Sequence, residues 1–596
     1  MTPVSESWFH PAFVLLVAGL LLSLLVWRRS SGRRAWQVAS MSLFICLLWL
    51  AAFNGRPTWP VDLYLASDPL LAAVHTLAGR VLVPLLLLSL LFVVLALLMG
   101  RIFCSHLCPL GVLLDVSDHF LARPQRVKEN RGAYRRVRPV KLVLLLVLVG
   151  AALFGFDLLG FVDPLVIMTR FTATLFYPAL VALADASLQV LRPLGASLGW
   201  LDLAYLEIIS PTFDGALLML GLLLVLLLLG RLQPRFWCRH LCPLGGLLGL
   251  LGRRAPYRRR VDSDKCNACN RCVRLCPTGA IHLEGKLYDR SECITCLNCV
   301  RECPEGAVSF SFGARRPAQE QPGVAAGRRL VLGGLLGGAA AGLAMRIDGL
   351  HPGHAFLPLP HRHGRLIRPP GAVPEPEFLA RCTRCGECLR ACLTNTLQPD
   401  WYRAGLEGLW APHLALRHAA CEQTCNVCGQ VCPTGAIRPL TPIEKQHAKI
   451  GTAVIVRDRC LPWSQDRRCL ICDEQCPYNA IVFRHDAQHH VGLPVVNPNR
   501  CNGCGQCEDK CPVLGEAAII VVPQGELRLS SGSYVAEARA LGLVFEAEKG
   551  EFQDQFRLEG EEAAPGGRPP AGQQQPGGKQ HAADQELPRL PPGIEP

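Results

Sequence analysis

The sequence predicts a multidomain fold, in which a polytopic α-helical membrane domain is followed by small α+β domains built around clustered cysteines. Two properties of the chain lead to this prediction. Half of its 596 residues are apolar and only 18% are charged, a balance that is expected when part of a chain lies in lipid. The chain also has 29 cysteines, and nearly all of them stand at metal-ligand spacing, which argues against a disulfide scaffold.

The net charge of +13 is attributed to membrane orientation rather than to nucleic acid. The arginines stand beside apolar segments, as expected for residues that fix the topology of a membrane protein. The sequence contains no nucleic-acid-binding motif, so no nucleic acid is predicted as a partner.

Two cysteine runs between Cys266 and Pro304 have the form C-x2-C-x2-C-x3-C-P. This is the pattern of bacterial ferredoxins, in which three closely spaced thiolates bind one [4Fe-4S] cluster and the fourth binds the neighbouring cluster. Zinc fits less well, because zinc sites use pairs of ligands without a third cysteine so close. A bacterial-ferredoxin-like α+β domain with two clusters is therefore predicted, with the ligands Cys266, Cys269, Cys272, Cys276, Cys293, Cys296, Cys299 and Cys303.

Four further runs follow, and short apolar stretches after them suit the strands of ferredoxin folds. Leu393 replaces the usual proline in the first run, and the second and third runs have stretched spacings. Because each run keeps four cysteines, four [4Fe-4S] clusters are favoured over a lost cluster or a [3Fe-4S] site, which makes about six in the chain. Spacing alone leaves the pairing of the fourth cysteines open. The ligands are Cys382, Cys385, Cys388, Cys392, Cys421, Cys425, Cys428, Cys432, Cys460, Cys469, Cys472, Cys476, Cys501, Cys504, Cys507 and Cys511.

Apolar segments in the first 250 residues predict about five membrane spans. Nine Lys/Arg against three Asp/Glu in residues 101–141 mark that segment as cytoplasmic and predict that the two-cluster domain is cytoplasmic as well. The number of re-entrant or interfacial helices in the outer region 160–214 stays open. The predicted spans are 11–27, 37–53, 81–100, 141–159 and 215–230.

The cytoplasmic ends of two predicted spans, 81–100 and 215–230, are followed by nearly the same sequence, each with a C-x3-C-P motif. Cysteines four positions apart are expected on one face of a helix, and the repetition predicts a pseudo-symmetric pair of helices on which four thiols converge. An additional redox or metal site, with the bound species left open, is favoured over a packing motif. The four cysteines are Cys104, Cys108, Cys238 and Cys242, and Cys46 is left as a small core residue.

Arg328 and Arg329 precede a weakly apolar stretch rich in Gly and Ala that ends near Met345. This pattern is typical of a twin-arginine export signal, and the alternative is a cytoplasmic linker helix that packs on the membrane half. Beyond it lie four histidines among several prolines, His351, His354, His361 and His363. A proline-stiffened spacer is favoured there over a metal site formed by these histidines.

The predicted organisation follows from these segments. The membrane domain covers 1–250, the cytoplasmic two-cluster domain 251–314, the linker and crossing 315–350, the Pro/His-rich linker 351–378, the four-cluster domain 379–525, and a C-terminal extension 526–596 that is disordered from about 559.

The two C-x3-C-P motifs and the following cluster runs, over roughly residues 35–310, resemble the NapH-type quinol dehydrogenase membrane subunits and, more distantly, the NosR and CcoG polyferredoxins. About ten residues precede the first predicted span, whereas NosR-type proteins carry an outer flavin-binding domain there. Residues 328–525 resemble the exported NapG/MauM-type ferredoxins, which carry four clusters. The whole chain resembles a NapH-like protein fused to a NapG-like one.

The resemblance implies a multi-pass protein of the cell inner membrane that oxidises quinol from the quinone pool. Its clusters would pass electrons to a periplasmic reductase of the nitrate-reductase kind, or to the cytochrome of that reductase, and the four-cluster module would be periplasmic. The chain is then a quinol dehydrogenase component, or otherwise an electron carrier, and no catalytic residue is assigned.

Two alternatives stay open. The first is a redox assembly or maturation factor for a metalloenzyme, as the CcoG and NosR resemblance implies, and the second is outward flow of electrons from a soluble cytoplasmic donor. If quinol is oxidised, the candidate proton acceptors on the outer side are polar residues that border apolar spans, namely His75, Asp157, Asp163, Asp202 and Glu207.

Overall fold

The computed structural model describes residues 32–53, 62–121, 139–197, 210–282, 285–313, 327–346, 365–486 and 488–545, together with residues 23 and 199. Several sequence predictions fall elsewhere in the chain. The described residues exclude the predicted span 11–27 apart from Ser23, the four histidines of the Pro/His-rich linker, Asp202, Glu207 and the predicted tail from about 559.

The first half of the chain is helical. Its α-helices are α1 (Gly32–Phe53), α2 (Leu63–Ala66), α3 (Pro69–Gly79), α4 (Ser89–Met99), α5 (Ile102–His106), α6 (Pro109–Leu121), α7 (Val140–Leu153), α8 (Pro164–Phe171), α9 (Tyr177–Ser197), α10 (Ala216–Leu228) and α11 (Pro243–Leu251). Thr172–Phe176 and Trp237–Leu241 are π-helical, and 3₁₀ turns include Pro84–Leu88, Leu159–Phe161 and Leu229–Arg231.

The predicted spans coincide with helices wherever the structure describes them, but the helices are mostly shorter. The predicted span 141–159 ends too late, because α7 stops at Leu153 and Gly155 then takes a left-handed φ of 84°. Among the described residues, one helical stretch is both long and apolar enough to cross a membrane, Pro164–Ser197. The shorter apolar stretches are Pro69–Gly79, Pro84–Met99, Val140–Leu153 and Ala216–Arg231, so the polytopic arrangement stays a prediction.

The stretch with the arginine pair forms a helix, α14 (Arg328–Arg346), which follows the short helices α12 (Arg271–Arg274) and α13 (Asn298–Arg301). α14 packs along α7, and the two helices run in the same direction. Gly334 lies against Leu146 of α7, and Gly342 lies against Phe156, just beyond the end of α7. Glycines at every fourth position, including Gly338, allow the two helix backbones to approach closely.

The second half of the chain consists of short helices and strands around the cysteine runs. The helices are α15 (Glu375–Arg381), α16 (Glu387–Arg390), α17 (Val427–Gln430), α18 (Pro442–His447), α19 (Leu461–Gln465), α20 (Ile471–Glu474), α21 (Gln506–Asp509) and α22 (Tyr534–Ala540). The strands of the whole chain are β1 (Tyr257–Val261), β2 (Val308–Phe312), β3 (Leu397–Pro399), β4 (Pro412–Leu414), β5 (Thr452–Ile455), β6 (Ile481–Arg484), β7 (Leu493–Val496) and β8 (Ile519–Val522).

Short antiparallel pairs close the ends of each pair of cysteine runs. β1 pairs with β2 around the first two runs, and β5 pairs with β8 around the last two. The middle two runs are enclosed by a bridge between Ala372 and Ile437. β3–β4 and β6–β7 are inner hairpin-like pairs. The apolar stretches predicted as strands are therefore strands in β6 and β8, whereas the stretch at Ile437 forms only the bridge.

The folded four-cluster part begins before the predicted boundary at residue 379. Arg368 is buried, and it donates to the Pro412 carbonyl (2.8 Å) and pairs with Glu375 at the start of α15. At the other end α22 packs on α18, where the Tyr534 amide donates to Glu444 (2.6 Å). Residues that were assigned to the linker and to the C-terminal extension are thus part of this unit.

The two cysteine-rich parts lie at opposite ends of α7. At its first turn, Lys141 Nζ donates to Glu292 Oε1 (2.6 Å), and Glu292 directly precedes the ligand Cys293. Beyond its last turn, the Asp157 carbonyl accepts a hydrogen bond from Arg384 Nη1 (2.6 Å). The helical bundle therefore separates the two-cluster domain from the four-cluster part.

Candidate iron-sulfur sites

Four cavities in the four-cluster part are each lined by four cysteines, with volumes of about 340, 380, 380 and 390 Å³. In every cavity three cysteines come from one run and the fourth comes from its partner run, which is the exchange typical of two-cluster ferredoxins. The structure thus supplies the pairing that spacing left open, and the stretched runs keep a full ligand set. The sets are Cys382, Cys385, Cys388 and Cys432; Cys421, Cys425, Cys428 and Cys392; Cys460, Cys469, Cys472 and Cys511; and Cys501, Cys504, Cys507 and Cys476.

Left-handed residues fold the regularly spaced runs into loops. In each of these runs the second and fourth residues after the first cysteine have positive φ angles, as in Thr295 (54°) and Leu297 (60°) or Gly503 (86°) and Gly505 (84°). Such turns aim successive backbone amides at one point and so form a concave site for an anion. A cluster ligated by four thiolates is such an anion.

Backbone amides just before the strands that follow two of the runs donate hydrogen bonds to sulfur atoms. The Ala480 amide donates to Cys476 Sγ (3.3 Å), and the Ala518 amide donates to Cys511 Sγ (3.4 Å). Each of these donors stands directly before a strand, and each acceptor is the fourth cysteine of its run. Amide hydrogen bonds to sulfur tune the reduction potential of a cluster. The start of each strand therefore affects the reduction potential of the bound cluster as well as the fold.

The chemistry of the cavities fits a bound cluster. Burial raises the pKa of the Cys382 thiol to about 11 and that of the Cys504 thiol to about 12, so thiolates form there only when iron supplies positive charge. Across the described ranges, no group of three or more His, Cys, Asp or Glu side chains is arranged to hold a single metal ion.

The two-cluster domain has one exposed and one buried site. Cys296 and Cys299 lie within electrostatic range of Cys293 and of Cys276, which is the fourth cysteine of the other run. By contrast, Cys269 is exposed, and its set includes Cys266 and Cys272. The exposed set faces solvent, and the buried set faces the helical bundle.

The four cysteines of the C-x3-C-P motifs do converge, but not on the faces of two continuous helices. α5 ends at His106, and Cys108 lies in a break before α6, which begins at Pro109. Cys242 likewise caps α11 with an extended ψ of 107°. A proline disfavours helical geometry in the residue before it, so each motif breaks between its cysteines. All four thiols are buried, with exposed fractions of 4–7%.

The described candidate proton acceptors are buried, and one of them caps a helix. The Asp163 carboxylate caps α8 through the Leu165 amide (2.9 Å), in the same way as Asp68 caps α3. Asp157 accepts from the Leu159 amide (2.9 Å). Sequence reasoning missed Asp68, although the Asp-Pro pair that precedes α3 signals an N-cap in the same way as the pair before α8.

His75 differs from these carboxylates, because neither of its ring nitrogens has a hydrogen-bond partner in the described part of the chain. The residue is fully buried in α3, which packs against α15. His75 and Arg381 both lie against Gly79, and Arg381 directly precedes the ligand Cys382. His75 is thus placed where the helical bundle meets the first cluster set of the four-cluster part.

Aromatic and cationic side chains also fill this contact between the bundle and the four-cluster part, and no sequence motif predicted them. Trp410 lines the cavity of the Cys382 set. The Arg170 guanidinium lies 3.9 Å from the centre of a Trp410 ring, and the Phe161 ring lies 5.4 Å from it. Trp401 Nε1 also donates to the Asp214 carbonyl (2.9 Å). This cavity is therefore in direct contact with the helices.

Comparison with known protein families identifies iron-sulfur domains along the chain. A 4Fe-4S binding domain model matches residues 81–128 and again 212–261, and a second one matches 379–395. Two 4Fe-4S dicluster domain models match 258–304 and 467–514. Together with the cysteine sets, these matches establish that the chain binds multiple [4Fe-4S] clusters.

Among curated proteins, the methylamine utilization ferredoxin-type protein MauM of Methylorubrum extorquens is 40% identical over 168 residues, which are 27% of this chain and 74% of that protein. The chain belongs to the MauM/NapG family of ferredoxin-type proteins. The ferredoxin-type protein NapG of Escherichia coli is 37% identical over 178 residues, covering 28% of this chain and 75% of NapG. The ferredoxin-type protein NapF of the same organism is 34% identical over 148 residues, covering 25% of this chain and 80% of NapF.

The predicted NapG/MauM resemblance is thereby confirmed, and this protein is an iron-sulfur, ferredoxin-type electron carrier. The aligned segments make up little more than a quarter of this chain. The fusion with a NapH-like half is a separate prediction that these relatives do not cover.

Proposed function

We propose that this MauM/NapG-family protein is a fusion with a NapH-like membrane half. It oxidises quinol in the cell inner membrane and passes electrons through the clusters of its four-cluster part, among about six [4Fe-4S] clusters in all, to a periplasmic reductase or its cytochrome. The observation that carries the proposal is the position of the two cysteine-rich parts at opposite ends of α7, fixed by the Lys141–Glu292 and Arg384–Asp157 contacts. A helical layer between two iron-sulfur parts is the arrangement that a membrane-bound relay requires.

Outward-facing side chains of the bundle support the membrane location. Exposed leucines cover both α4 and α10, with exposed fractions of 56% for Leu90, 60% for Leu91 and 85% for Leu217. Large contiguous apolar surfaces are rare on soluble monomers, whereas lipid would cover them without cost. Cationic residues gather at the end of the bundle that holds the two-cluster domain, among them Arg33 and Arg101, which favours a cytoplasmic location for that end.

The contact between the bundle and the four-cluster part supports electron entry at the Cys382 set. Oxidation of a quinol to a quinone releases a pair of electrons and a pair of protons, and each cluster accepts a single electron. Electrons would reach this set beside Trp410, which lines its cavity. We assign His75 as a transient proton acceptor, because it lies close to the residue before Cys382 and has no hydrogen-bond partner among the described residues. Burial and the Arg381 charge lower the pKa of His75 to about 4, so it would pass a proton on rather than keep it.

Quinol-dependent reduction of the clusters tests this function. The holoprotein is reconstituted anaerobically in lipid nanodiscs, a quinol analogue is added, and cluster reduction is followed by the loss of visible absorbance. The wild-type clusters should be reduced, and His75→Gln should slow the reduction by about a hundredfold, within the usual range for loss of a general base. His119→Gln is the matched control, since His119 is an exposed histidine of α6.

Clusters that dithionite reduces but quinol does not would contradict the proposal. If that protein still reduced a bound metal ion such as copper, the maturation-factor alternative would be favoured instead.

A further inference from the structure

The two C-x3-C-P motifs meet in the structure as two halves of one site. A buried arginine begins each repeat and reaches into the other repeat. Arg101 Nη2 donates to the Cys238 carbonyl (3.4 Å), and Arg235 Nη1 donates to the Cys104 carbonyl (3.0 Å). This reciprocal exchange relates the two repeats by an approximate twofold axis.

The four sulfur atoms gather about that axis inside the core of the bundle. Every pair among the four thiols lies within electrostatic range. Their neighbours in the core are apolar side chains such as Leu110, Leu244 and Leu248. A buried group of four converging thiols in an apolar core has the composition of a metal-cluster site. The thiols are Cys104, Cys108, Cys238 and Cys242.

Backbone amides donate to two of these sulfur atoms. The Gly111 amide donates to Cys108 Sγ (3.4 Å), and the Gly245 amide donates to Cys242 Sγ (3.2 Å). These hydrogen bonds are of the same kind as those at the ferredoxin-type sites. Gly245 lies directly against the Arg101 guanidinium, since a Cβ atom there would lie 2.5 Å from Arg101 Nη2.

The buried side chains around the site carry more positive than negative charge, which suits an anion. Arg101 and Lys141 share one carboxylate, that of Glu292. Each half of the site thus holds two cations and one carboxylate, because Arg33 and Arg235 likewise share Asp115.

Together these two groups carry a net charge of about +2. Asp118 and Arg239, which lie next to them, add one charge of each sign and so leave the balance unchanged. A [4Fe-4S] core of charge 2+ with four thiolates carries about −2. Cys296 of the neighbouring buried set also lies within electrostatic range of Arg33 and Arg235, so this positive charge faces both groups of thiols.

The site also adjoins the two-cluster domain. Arg239, which lies between Cys238 and Cys242 in the sequence, donates to the Pro277 carbonyl (2.9 Å) and to the Cys276 carbonyl (3.4 Å). Cys276 belongs to the buried ligand set of that domain. A group bound by the four thiols would therefore lie between the helical bundle and this set.

We propose that the two C-x3-C-P motifs jointly bind one further [4Fe-4S] cluster on the twofold axis between them. The matching 4Fe-4S binding domain model covers each repeat separately, and each repeat alone has only half of a ligand set. This additional cluster is not part of the proposed function, because it can be present whichever molecule donates the electrons.

Iron and sulfide content of the anaerobically purified full chain tests the proposal. The wild-type protein should contain about 28 iron atoms and as many sulfides, corresponding to seven clusters. The double variant Cys108→Ala/Cys242→Ala should fall to about 24 and should lose one cluster's signal in the Mössbauer spectrum. Cys46→Ala is the control, because Cys46 is a buried cysteine of α1 outside all cysteine runs, and it should keep the wild-type content.

A wild-type content of about 24 iron atoms would overturn the proposal even if the double variant failed to fold. One bound zinc ion per chain, or a pair of disulfides detected by mass spectrometry of the intact protein, would overturn it as well. No quinol is used in these measurements. A chain with the additional cluster that quinol does not reduce would therefore contradict the proposed function and leave this site intact.

Discussion

The two cysteine-rich parts contact the same helical bundle by different chemistry. The two-cluster domain is held by buried ion pairs, in which Glu292 accepts from both Lys141 and Arg101. The four-cluster part is held by guanidinium groups that donate to backbone carbonyls or stack on aromatic rings, as Arg384 and Arg170 do. One contact thus depends on paired charges and the other on hydrogen bonds and shape.

This difference in chemistry predicts which of the two contacts tolerates the loss of a single side chain. A buried ion pair leaves an uncompensated charge when one partner is removed. A guanidinium that donates to carbonyls leaves only neutral acceptors behind when it is lost, and unsatisfied neutral groups cost less. The helical bundle should therefore be more sensitive to single changes at the two-cluster end.

The largest difference should appear when iron is removed. The core of the four-cluster part is lined by its own cysteine ligands, and its strands are only three or four residues long. Because metal binding and folding are coupled in such small cores, chelation of iron should unfold this part, whereas α7 and α14 should stay helical. Hydrogen exchange of the holoprotein and the iron-free protein measures both. Equal protection of residues 365–545 in the two forms would refute this expectation.

Glu292→Gln should destabilise the contact of the two-cluster domain by about 3–5 kcal/mol, because it leaves Arg101 and Lys141 buried without a carboxylate. The measurement is the urea concentration at which the absorbance of the clusters is lost. Glu302→Gln is the matched control: its partner Arg271 is half exposed, so its loss should cost less than about 1 kcal/mol. Equal midpoints for the two variants would contradict the role of the buried pair.

Arg384→Met should weaken the contact of the four-cluster part by a smaller amount, about 1.5–3 kcal/mol. The variant removes the donors to the Asp157 and Glu407 carbonyls (each 2.6 Å) and keeps the length of the side chain. Limited proteolysis of the holoprotein would detect the loosened contact. Arg459→Met, at an exposed pair with Glu516, serves as the control, and greater sensitivity in the control would count against the assignment.

Leu297→Gly should have the smallest effect and the opposite sign. Leu297 has a φ of 60° and is 38% exposed, so glycine would relieve left-handed strain of about 1 kcal/mol at little loss of packing. The cluster at Cys293 should then withstand slightly more urea. A lower midpoint would mean that the Leu297 side chain contributes more through its contacts than the backbone loses in strain.

Sequence reasoning predicted the features that depend on local spacing. The ligand runs and the approximate positions of the helices follow from residues close together in the chain, and the convergence of the four C-x3-C-P thiols follows from the repetition of one motif. It could not predict contacts between distant segments, such as Arg384 with Asp157, which are 227 residues apart. Which runs of the four-cluster part exchange their fourth cysteines was also out of reach, because it is fixed by which strands pair. The early end of α7 depends on the backbone angle at Gly155.

The sidedness of the two cysteine-rich parts tests the central claim most directly. Topology reporters are inserted after Phe312, at the end of β2, and after Val522, at the end of β8, and each fusion is assayed in intact cells. The account predicts that the reporter after Phe312 is active only as a cytoplasmic fusion and the reporter after Val522 only as a periplasmic one. Activity of both reporters on the same side of the membrane would contradict the account.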